Sequence, residues 1–279
     1  MVLEQIKNYQ RLEASEVRVV RRTVEEGIER TLCVIDTPFG YRRVGALCRP
    51  AGMQAELPAA LFVHWYEPES EDSNRSQFEQ EAKELATAGA LCLMIETLWS
   101  DPDFFIKRTQ DDDLRASMEE AVNMRRFLDL LLSQPNIDPH RLALVGHDFG
   151  GMYSVLAGNV DRRPSHYVVM AATPRFPDWY LYHPKLEAEA RTAFIRSMSD
   201  LDPIASVAGL SPAAVFFQFA TDDPHVPRER AEEFFAAASG PKTMKWYEAG
   251  HGLNQEARRD RKAWLLEQLG LVQAPGRGD

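Results

Sequence analysis

An aspartate flanked by glycines is the residue of this chain whose type and spacing point most directly to chemistry. Asp148 lies in the run Gly-His-Asp-Phe-Gly-Gly, directly after the apolar stretch 142–146. Glycines two residues to either side permit a sharp strand-to-helix turn with a strained central residue, and such a turn raises the central side chain above the sheet. The helix that begins there directs N–H groups and its positive dipole end at the same point.

Two further side chains complete a candidate catalytic set. Asp223, with Asp222 beside it as an alternative, and His251 each follow a short apolar run later in the chain. A histidine that is oriented and made more basic by a carboxylate can take a proton from water. These residues are therefore candidates for such a pair.

These motifs resemble, in type and in order, those of the α/β-hydrolase superfamily, whose chain order is nucleophile, acid, histidine. The resemblance covers roughly residues 40–270. It assigns Asp148 to the nucleophile position, where most members carry serine. It assigns Asp223 to the acid and His251 to the histidine, and so implies an Asp-His-Asp triad.

The same resemblance implies an oxyanion hole. Its first donor is the N–H of Phe149, directly after the elbow aspartate. The second donor follows the apolar run 59–65, where Trp65 stands at a position that is commonly glycine in the superfamily. The N–H groups of Trp65 and Tyr66 are the two candidates, and we take Trp65 as the site residue.

The elbow and the rest of the layout resemble different members of the superfamily. Gly-His-Asp resembles epoxide hydrolases and haloalkane or haloacid dehalogenases, whereas the short lid and the acid loop resemble dienelactone-hydrolase-like proteins. A carboxylate attacks an ester poorly, because the acyl-enzyme would be an anhydride, but it can displace a leaving group at a saturated carbon. His251 would then activate the water that cleaves the alkyl ester on Asp148. We expect a cofactor-independent hydrolase of the epoxide-hydrolase or dehalogenase type.

Aromatic residues in and around a predicted lid segment (residues 173–206) are candidates for substrate binding. An alkoxide leaving group would need a hydroxyl donor such as a lid tyrosine, and a halide would need N–H donors such as tryptophan indoles. Each of these side chains could equally be hydrophobic cover over the sheet. The candidate substrate-binding residues are Tyr180, Tyr182, Trp179, Trp99 and His64, the last without a catalytic role.

Two alternative functions stay open. In the first, the same triad acts on acyl substrates as an esterase or lactonase similar to dienelactone hydrolases, or as a lyase, with Asp148 as a base or an electrostatic group. In the second, Asp148 only caps the following helix, a role that aspartate fills well, and the chain is a non-catalytic small-molecule-binding member of the fold.

The pattern of elements predicts an α/β fold. Residues 17–49 alternate polar and apolar around a Thr-Pro-Phe-Gly turn, which indicates N-terminal antiparallel strands. Farther along, short apolar runs alternate with amphipathic stretches, which is typical of a mostly parallel sheet with helices on both faces. We expect the α/β-hydrolase fold in one domain, residues 1–272, followed by a flexible tail, residues 273–279.

Composition and charge limit the class of protein. The chain has 279 residues, of which 44% are hydrophobic and 27% charged, as in an average globular protein. A formal charge of −10 disfavours nucleic acid and anionic membranes as partners. No apolar run is long enough to span a bilayer, and the first residues are too charged for a secretory signal, so we expect a cytoplasmic protein.

The remaining expectations concern ligands and cysteines. The sequence has neither metal-ligand spacing nor a nucleotide-binding glycine motif. We therefore expect a small-molecule substrate, no cofactor and no metal, and the sequence leaves a homodimer open. The three cysteines lie in apolar runs without a paired spacing, which indicates reduced core thiols.

Overall fold

A nine-stranded sheet forms the centre of the computed structural model, which describes residues 2–9 and 17–271. The sheet order is β1-β2-β3-β5-β4-β6-β7-β8-β9, with antiparallel pairing from β1 through β3 to β5 and parallel pairing across the other strands. The predicted mostly parallel sheet with N-terminal antiparallel strands is therefore confirmed. The strands are β1 (Val17–Glu25), β2 (Ile28–Asp36), β3 (Arg42–Pro50), β4 (Leu57–Val63), β5 (Leu91–Ile95), β6 (Ile137–His147), β7 (His166–Met170), β8 (Ala214–Ala220) and β9 (Lys242–Tyr247).

Helices connect the parallel strands and cover both faces of the sheet. In the described part of the chain, no helix combines the length and the apolar character needed to cross a membrane. The helices are α1 (Val2–Lys7), α2 (Glu79–Thr87), α3 (Phe104–Lys107), α4 (Gln110–Leu132), α5 (Phe149–Val160), α6 (Pro177–Tyr180), α7 (Ala188–Met198), α8 (Pro203–Ser206), α9 (Arg228–Ala237) and α10 (Gln255–Gln268).

Alternating strand residues supply the two layers of the core. In β4, Ala59, Leu61 and Val63 face the layer that contains α4 and α5, and Ala60 and Phe62 face the layer that contains α2 and α10. Successive side chains of a strand point to opposite faces, so a strand covered on both sides must be apolar throughout. This requirement explains the continuous apolar runs from which the parallel sheet was predicted.

The cysteines belong to this core. Cys33, Cys48 and Cys92 are all buried and free of disulfide bonds. Burial raises the pKa of Cys33 to about 11 and raises that of Cys92 well above its ordinary value. Their thiols are therefore uncharged packing groups, as expected from the sequence.

The lid segment, residues 173–206, folds into α6, α7 and α8 between β7 and β8. Arg108, directly after α3, donates hydrogen bonds to the main-chain carbonyls of Tyr180 (2.9 Å) and His183. The guanidinium also pairs with Asp113 at 2.6 Å, and both side chains are almost fully buried. A buried ion pair thus fastens the lid segment to the helix beneath it. The predicted tail, residues 273–279, lies outside the described residues.

Two glycines determine how closely β4, β6 and α5 approach one another. A Cβ atom on Gly146 would lie 2.3 Å from the carbonyl oxygen of Gly150. A Cβ atom on Gly150 would lie 2.1 Å from the carbonyl oxygen of Val63, at the end of β4. In both cases the added Cβ atom would meet a main-chain oxygen, so no side-chain movement could relieve the overlap. The glycines around Asp148 are therefore required by close packing.

We predict that Gly150→Ala lowers the free energy of unfolding by about 3 kcal/mol or more, or prevents folding, because the added methyl group overlaps the β4 backbone. Gly250→Ala is the matched control, since a Cβ atom there meets nothing within 4 Å. Chemical denaturation followed by circular dichroism measures both variants. Equal midpoints for the two would contradict the packing argument.

Candidate active site

The turn between β6 and α5 holds Asp148 in a strained conformation. Asp148 has φ 53° and ψ −117°, in the region that favours glycine. Its N–H donates to the carbonyl of Met170 (2.8 Å), and its carbonyl accepts from the N–H of Met152 (2.9 Å). These bonds fix the residue between two neighbouring strands and the first turn of the helix. The geometry matches the strained elbow expected from the glycine spacing.

Asp148, Asp223 and His251 come together at the carboxyl ends of β6, β8 and β9. His251 Nδ1 lies 2.8 Å from Asp223 Oδ2, and His251 Nε2 lies 3.9 Å from Asp148 Oδ2. The other carboxylate oxygen of Asp223 accepts the N–H groups of His225 (2.8 Å) and Val226 (3.2 Å). The neighbouring Asp222 is exposed and does not contact His251. The structure thus brings the three predicted residues into one chain of contacts.

Burial and the two carboxylates shift the pKa values of this group. Burial raises the pKa of Asp148, and His251 and the N–H of Phe149 only partly offset it. Burial alone would lower the pKa of His251, but the hydrogen bond to Asp223 and the negative charges of Asp148 and Asp223 outweigh it and raise that pKa to about 9. Burial would raise the pKa of Asp223 as well, but His251 and the two N–H donors lower it. At neutral pH an imidazolium therefore lies between two carboxyl groups, of which Asp148 is the more basic.

Three buried polar atoms at this site lack a hydrogen-bond partner within the described part of the chain. They are Oδ1 of Asp148, Nε2 of His251 and the indole Nε1 of Trp179. The Trp179 ring packs against His251 and Phe149, with centroid distances of 5.6 and 5.7 Å. An unpaired buried polar atom costs about 1–3 kcal/mol, so such atoms are common where a ligand supplies the partner.

The N–H of Trp65, the expected second oxyanion donor, already has an acceptor in the structure. The N–H of Trp65 donates to Oε1 of Gln77 at 3.1 Å. The N–H of Tyr66 has no acceptor among residues 2–9 and 17–271. Of the two candidates, only Tyr66 therefore retains an N–H group that is free among the described residues, because a glutamine side chain accepts the N–H of Trp65. Trp65 instead contributes its ring, which contacts that of His251 at 4.9 Å.

The polar atoms of His64 and Trp99, two predicted substrate-binding residues, are taken up by contacts that hold the oxyanion loop, residues 64–66, which follows β4. The two ring nitrogens of His64 lie 2.7 Å from the carbonyl of Trp65 and 2.8 Å from Oγ of Ser100. The indole N–H of Trp99 donates to the carbonyl of His64 at 2.9 Å. Burial lowers the pKa of His64 to about 4, so this ring is neutral. Neither side chain has a polar group left for a ligand.

The two lid tyrosines occupy different environments. Tyr180 is fully buried, and its hydroxyl lies 2.7 Å from that of Tyr153 and 3.1 Å from Oγ of Ser117. This hydroxyl cluster fastens α6 to α4 and α5, so Tyr180 is corrected from a leaving-group donor to a packing residue. Tyr182 is half exposed, and its ring lies against Trp179 at 5.5 Å. Its role as a donor stays a prediction.

The structure adds site residues that the sequence reasoning did not assign. The ring of His225 lies 5.1 Å from that of His251 and 5.1 Å from that of Trp179. Its position two residues after Asp223 is a signal that could have identified it. Gln77 contacts both Trp65 and His147. Because Gln77 lies in a polar stretch far from either motif in sequence, no local pattern indicates its role. In the described part of the chain, no group of three or more His, Cys, Asp or Glu side chains could hold a metal ion.

Several solved structures are similar to this chain over most of its length. The chain is similar to an acetyl xylan esterase from Paenibacillus sp. R4, with a TM-score of 0.78 and 17% identity, covering 95% of this chain and 92% of that one. The chain has the α/β-hydrolase fold. Acetyl xylan esterase 1 from Thermoanaerobacterium sp. gives a TM-score of 0.75 at 12% identity over 96% of this chain and 91% of that one.

A candidate dienelactone hydrolase from Klebsiella pneumoniae is also similar, with a TM-score of 0.63 and 15% identity over 87% of this chain and 98% of that one. No protein-family model matches the sequence, and no curated protein matches it either. At identities this low, the structural likeness shows the fold and leaves the reaction to be argued from the site.

We predict that removing either carboxylate lowers the pKa of His251 by roughly one unit or more, because each stabilises the imidazolium. NMR titration of the His251 ring in Asp148→Asn and in Asp223→Asn measures this shift from the starting value of about 9. Asp222→Asn, an exposed neighbour, is the control and leaves the titration unchanged. An unaltered pKa in both test variants would show that the carboxylates do not control the ring.

Proposed function

We propose that this chain is a hydrolase that acts through Asp148, His251 and Asp223 without a cofactor. The observation that carries the proposal is the arrangement of His251, which is held by Asp223 at one ring nitrogen and faces Asp148 with the other. The atoms that face each other, Asp148 and the free nitrogen of His251, are buried at the end of a parallel sheet. An acid, a base and oxyanion donors are then all supplied by the chain itself.

The comparisons support esters and lactones as the first substrate class. The similar structures include two acetyl xylan esterases and a candidate dienelactone hydrolase. The epoxide-hydrolase or dehalogenase type, which the sequence led us to expect, has no counterpart among these three proteins and rests on the elbow aspartate. We therefore take ester or lactone hydrolysis as the function to test first, and alkyl substrates as the second.

For an ester, the shifted pKa values suggest an acid and base pair rather than a covalent acyl-enzyme. The raised pKa of Asp148 makes its carboxylate a better base, and the raised pKa of His251 keeps an acid ready beside it. Asp148 takes a proton from water as the water oxygen bonds to the acyl carbon. The carbonyl oxygen becomes an oxyanion, which can accept the N–H groups of Phe149 and Tyr66. The intermediate then expels the alcohol, which receives its proton from His251.

A second candidate uses Asp148 as a nucleophile, and the strained elbow favours it, since this turn presents the side chain that attacks. One Asp148 oxygen bonds to a saturated carbon as the bond from that carbon to the epoxide oxygen or to the halogen breaks. A halogen leaves as the halide ion, and an epoxide oxygen takes a proton, for which Tyr182 is the predicted donor. The resulting alkyl ester carries no charge, so one of the two carboxylates that raise the pKa of His251 is lost. The ring then releases its proton more readily and can deprotonate the water that attacks the Asp148 carbonyl carbon.

Oxygen-18 distinguishes the two routes in a single turnover with enzyme in excess. We expect hydrolysis of acetyl esters and lactones in labelled water to put the heavy oxygen into the carboxylic acid and to leave the Asp148 peptide unlabelled. Label in the Asp148 peptide, with unlabelled oxygen in the alcohol, would identify the alkyl-enzyme route instead. Mass spectrometry of the products and of the digested enzyme reads both outcomes.

Variants test whether the site is responsible for the activity. We predict that Asp148→Ala and His251→Gln each lower kcat for esters by about 10²- to 10⁴-fold, because each removes one proton-transfer group. Asp222→Asn is the matched control and retains wild-type kcat. In the alkyl-enzyme route, His251→Gln would accumulate an adduct on Asp148 that intact-mass analysis detects. Wild-type turnover by Asp148→Ala and by His251→Gln would refute the proposed site.

The pH dependence follows from the pKa of His251, which the site raises to about 9. In ester hydrolysis the ring must be protonated, so we predict that kcat/KM falls about tenfold per pH unit above that value. In the alkyl-enzyme route the neutral ring is the active form, and its pKa lies below that value because the ester on Asp148 is uncharged. Breakdown of the ester would therefore accelerate as pH rises to that lower pKa and stay constant above it. Stopped-flow measurements across this range, with the Asp222→Asn variant as a check on stability, decide between the two directions.

A further inference from the structure

A chain of hydrogen bonds behind the site joins the three loops that carry its functional groups. The N–H of Trp65 donates to Oε1 of Gln77, and Nε2 of Gln77 lies 2.6 Å from Nδ1 of His147. Nε2 of His147 lies 2.9 Å from the main-chain carbonyl of His251. This hydrogen-bond chain therefore runs from the oxyanion loop, through His147, which precedes Asp148, to the loop that carries His251.

Only one placement of the protons on His147 and on the amide of Gln77 satisfies all three hydrogen bonds. The carbonyl of His251 can only accept, so Nε2 of His147 must carry the proton. Nδ1 of His147 is then an acceptor, which requires the amide nitrogen of Gln77 to face it. The amide oxygen of Gln77 is left to accept the N–H of Trp65, as the distances indicate. Glutamine is suited to this position because it presents a donor and an acceptor together.

We propose that Gln77 and His147 are positioning residues that hold the His251 loop and the oxyanion loop in register with Asp148, and that this function requires His147 to be neutral. The inference rests on the proposed function for its catalytic meaning, although the proton arrangement can be measured without turnover. Neither side chain needs to touch a substrate to act in this way.

The packing around His147 explains why its charge matters. Its ring stacks on Trp65 at 4.9 Å with planes 6° apart, and lies 5.4 Å from the ring of His251. A positive charge on His147 would therefore act directly on the imidazolium of His251. Burial, and the nearby charges of His251 and Arg261, keep the pKa of His147 well below its ordinary value. The titratable groups that face the ring of His251 are Asp148, Asp223, His147 and His225.

The hydrogen-bond chain also explains which main-chain N–H group is free at the oxyanion loop. Gln77 occupies the N–H of Trp65, and His64 and Trp99 hold the neighbouring carbonyl groups. Of the N–H groups of Trp65 and Tyr66, that of Tyr66 is then the one left to meet an oxyanion. Gln77 thus takes part in selecting the second donor, since it fixes the peptide that precedes Tyr66.

The test uses Gln77→Glu and Gln77→Met in the full-length chain, with Gln80→Glu, an exposed position one turn farther along, as the matched control. Long-range proton–nitrogen NMR of the ring nitrogens reports the protonation of His147 and the pKa of His251 in each protein. In the wild type we expect His147 to carry its proton on Nε2 and not to titrate between about pH 5 and 9.

The two Gln77 variants change this hydrogen-bond chain in different ways. Gln77→Glu keeps the acceptor for the N–H of Trp65 but replaces the donor to Nδ1 of His147 with a second acceptor. We therefore expect His147 to become cationic and the pKa of His251 to fall by roughly half a unit to one unit. Gln77→Met removes both bonds while keeping the length of the side chain. We expect His147 to keep its proton on Nε2, because the carbonyl of His251 still accepts it. We expect the signal of the proton between His251 and Asp223 to broaden, and kcat to fall about tenfold with little change in KM.

Two results would overturn the inference. The first is a wild-type His147 that carries its proton on Nδ1. The second is an unchanged His251 pKa and an unchanged proton signal in both Gln77 variants, even if their unfolding midpoints fall, since that combination is the result of a purely structural role. The NMR measurements require no substrate, so a failure to find hydrolysis would count against the proposed function and leave this test intact.

Discussion

The close approach of α5 to the end of β4 is the constraint on which the site depends. Gly150 passes so near the carbonyl of Val63 that a methyl group would overlap it, and Gly146 meets the first turn of α5 in the same way. Because the backbones approach so closely at both glycines, the main chain between them makes a sharp turn. Asp148 occupies this turn and has a positive φ. The same contact sets the oxyanion loop, which continues directly from β4, beside the elbow. The packing of the parallel strands β4 and β6 against α5 thus determines the geometry of the site.

Within that geometry, charge decides what the residues can do. Two buried carboxyl groups flank one imidazole, and the buried surroundings strengthen the attraction between them. The asymmetry between the carboxyl groups follows from their hydrogen bonds. Asp223 receives two main-chain N–H groups besides His251, whereas one oxygen of Asp148 has no partner in the described structure. The paired group is the more acidic one and orients the ring, and the unpaired group is left available for reaction.

The sequence predicted those parts of the structure that depend on local patterns. Apolar runs between amphipathic stretches identified the parallel sheet, and the glycine spacing identified the elbow, because each reflects one steric requirement on neighbouring residues. Motif order also brought together Asp148, Asp223 and His251. The choice between Trp65 and Tyr66 could not be made in advance, since it depends on Gln77, whose partners are distant in sequence. The tyrosine hydroxyl cluster that buries Tyr180 is likewise a product of long-range packing.

The fastening of the lid segment has a kinetic consequence. Asp148 is 1% exposed in this arrangement, and the rings of Trp179 and Tyr180 cover Phe149 beside it. A ligand that reaches the carboxylate has to displace part of this cover, and a movement of α6 would break the hydrogen bonds from Arg108 to the carbonyl groups of Tyr180 and His183. Because only the open fraction of molecules accepts a ligand, that fraction reduces the apparent affinity for every substrate alike. The frequency with which the cover opens then sets an upper limit on turnover, however fast the bond-breaking steps are.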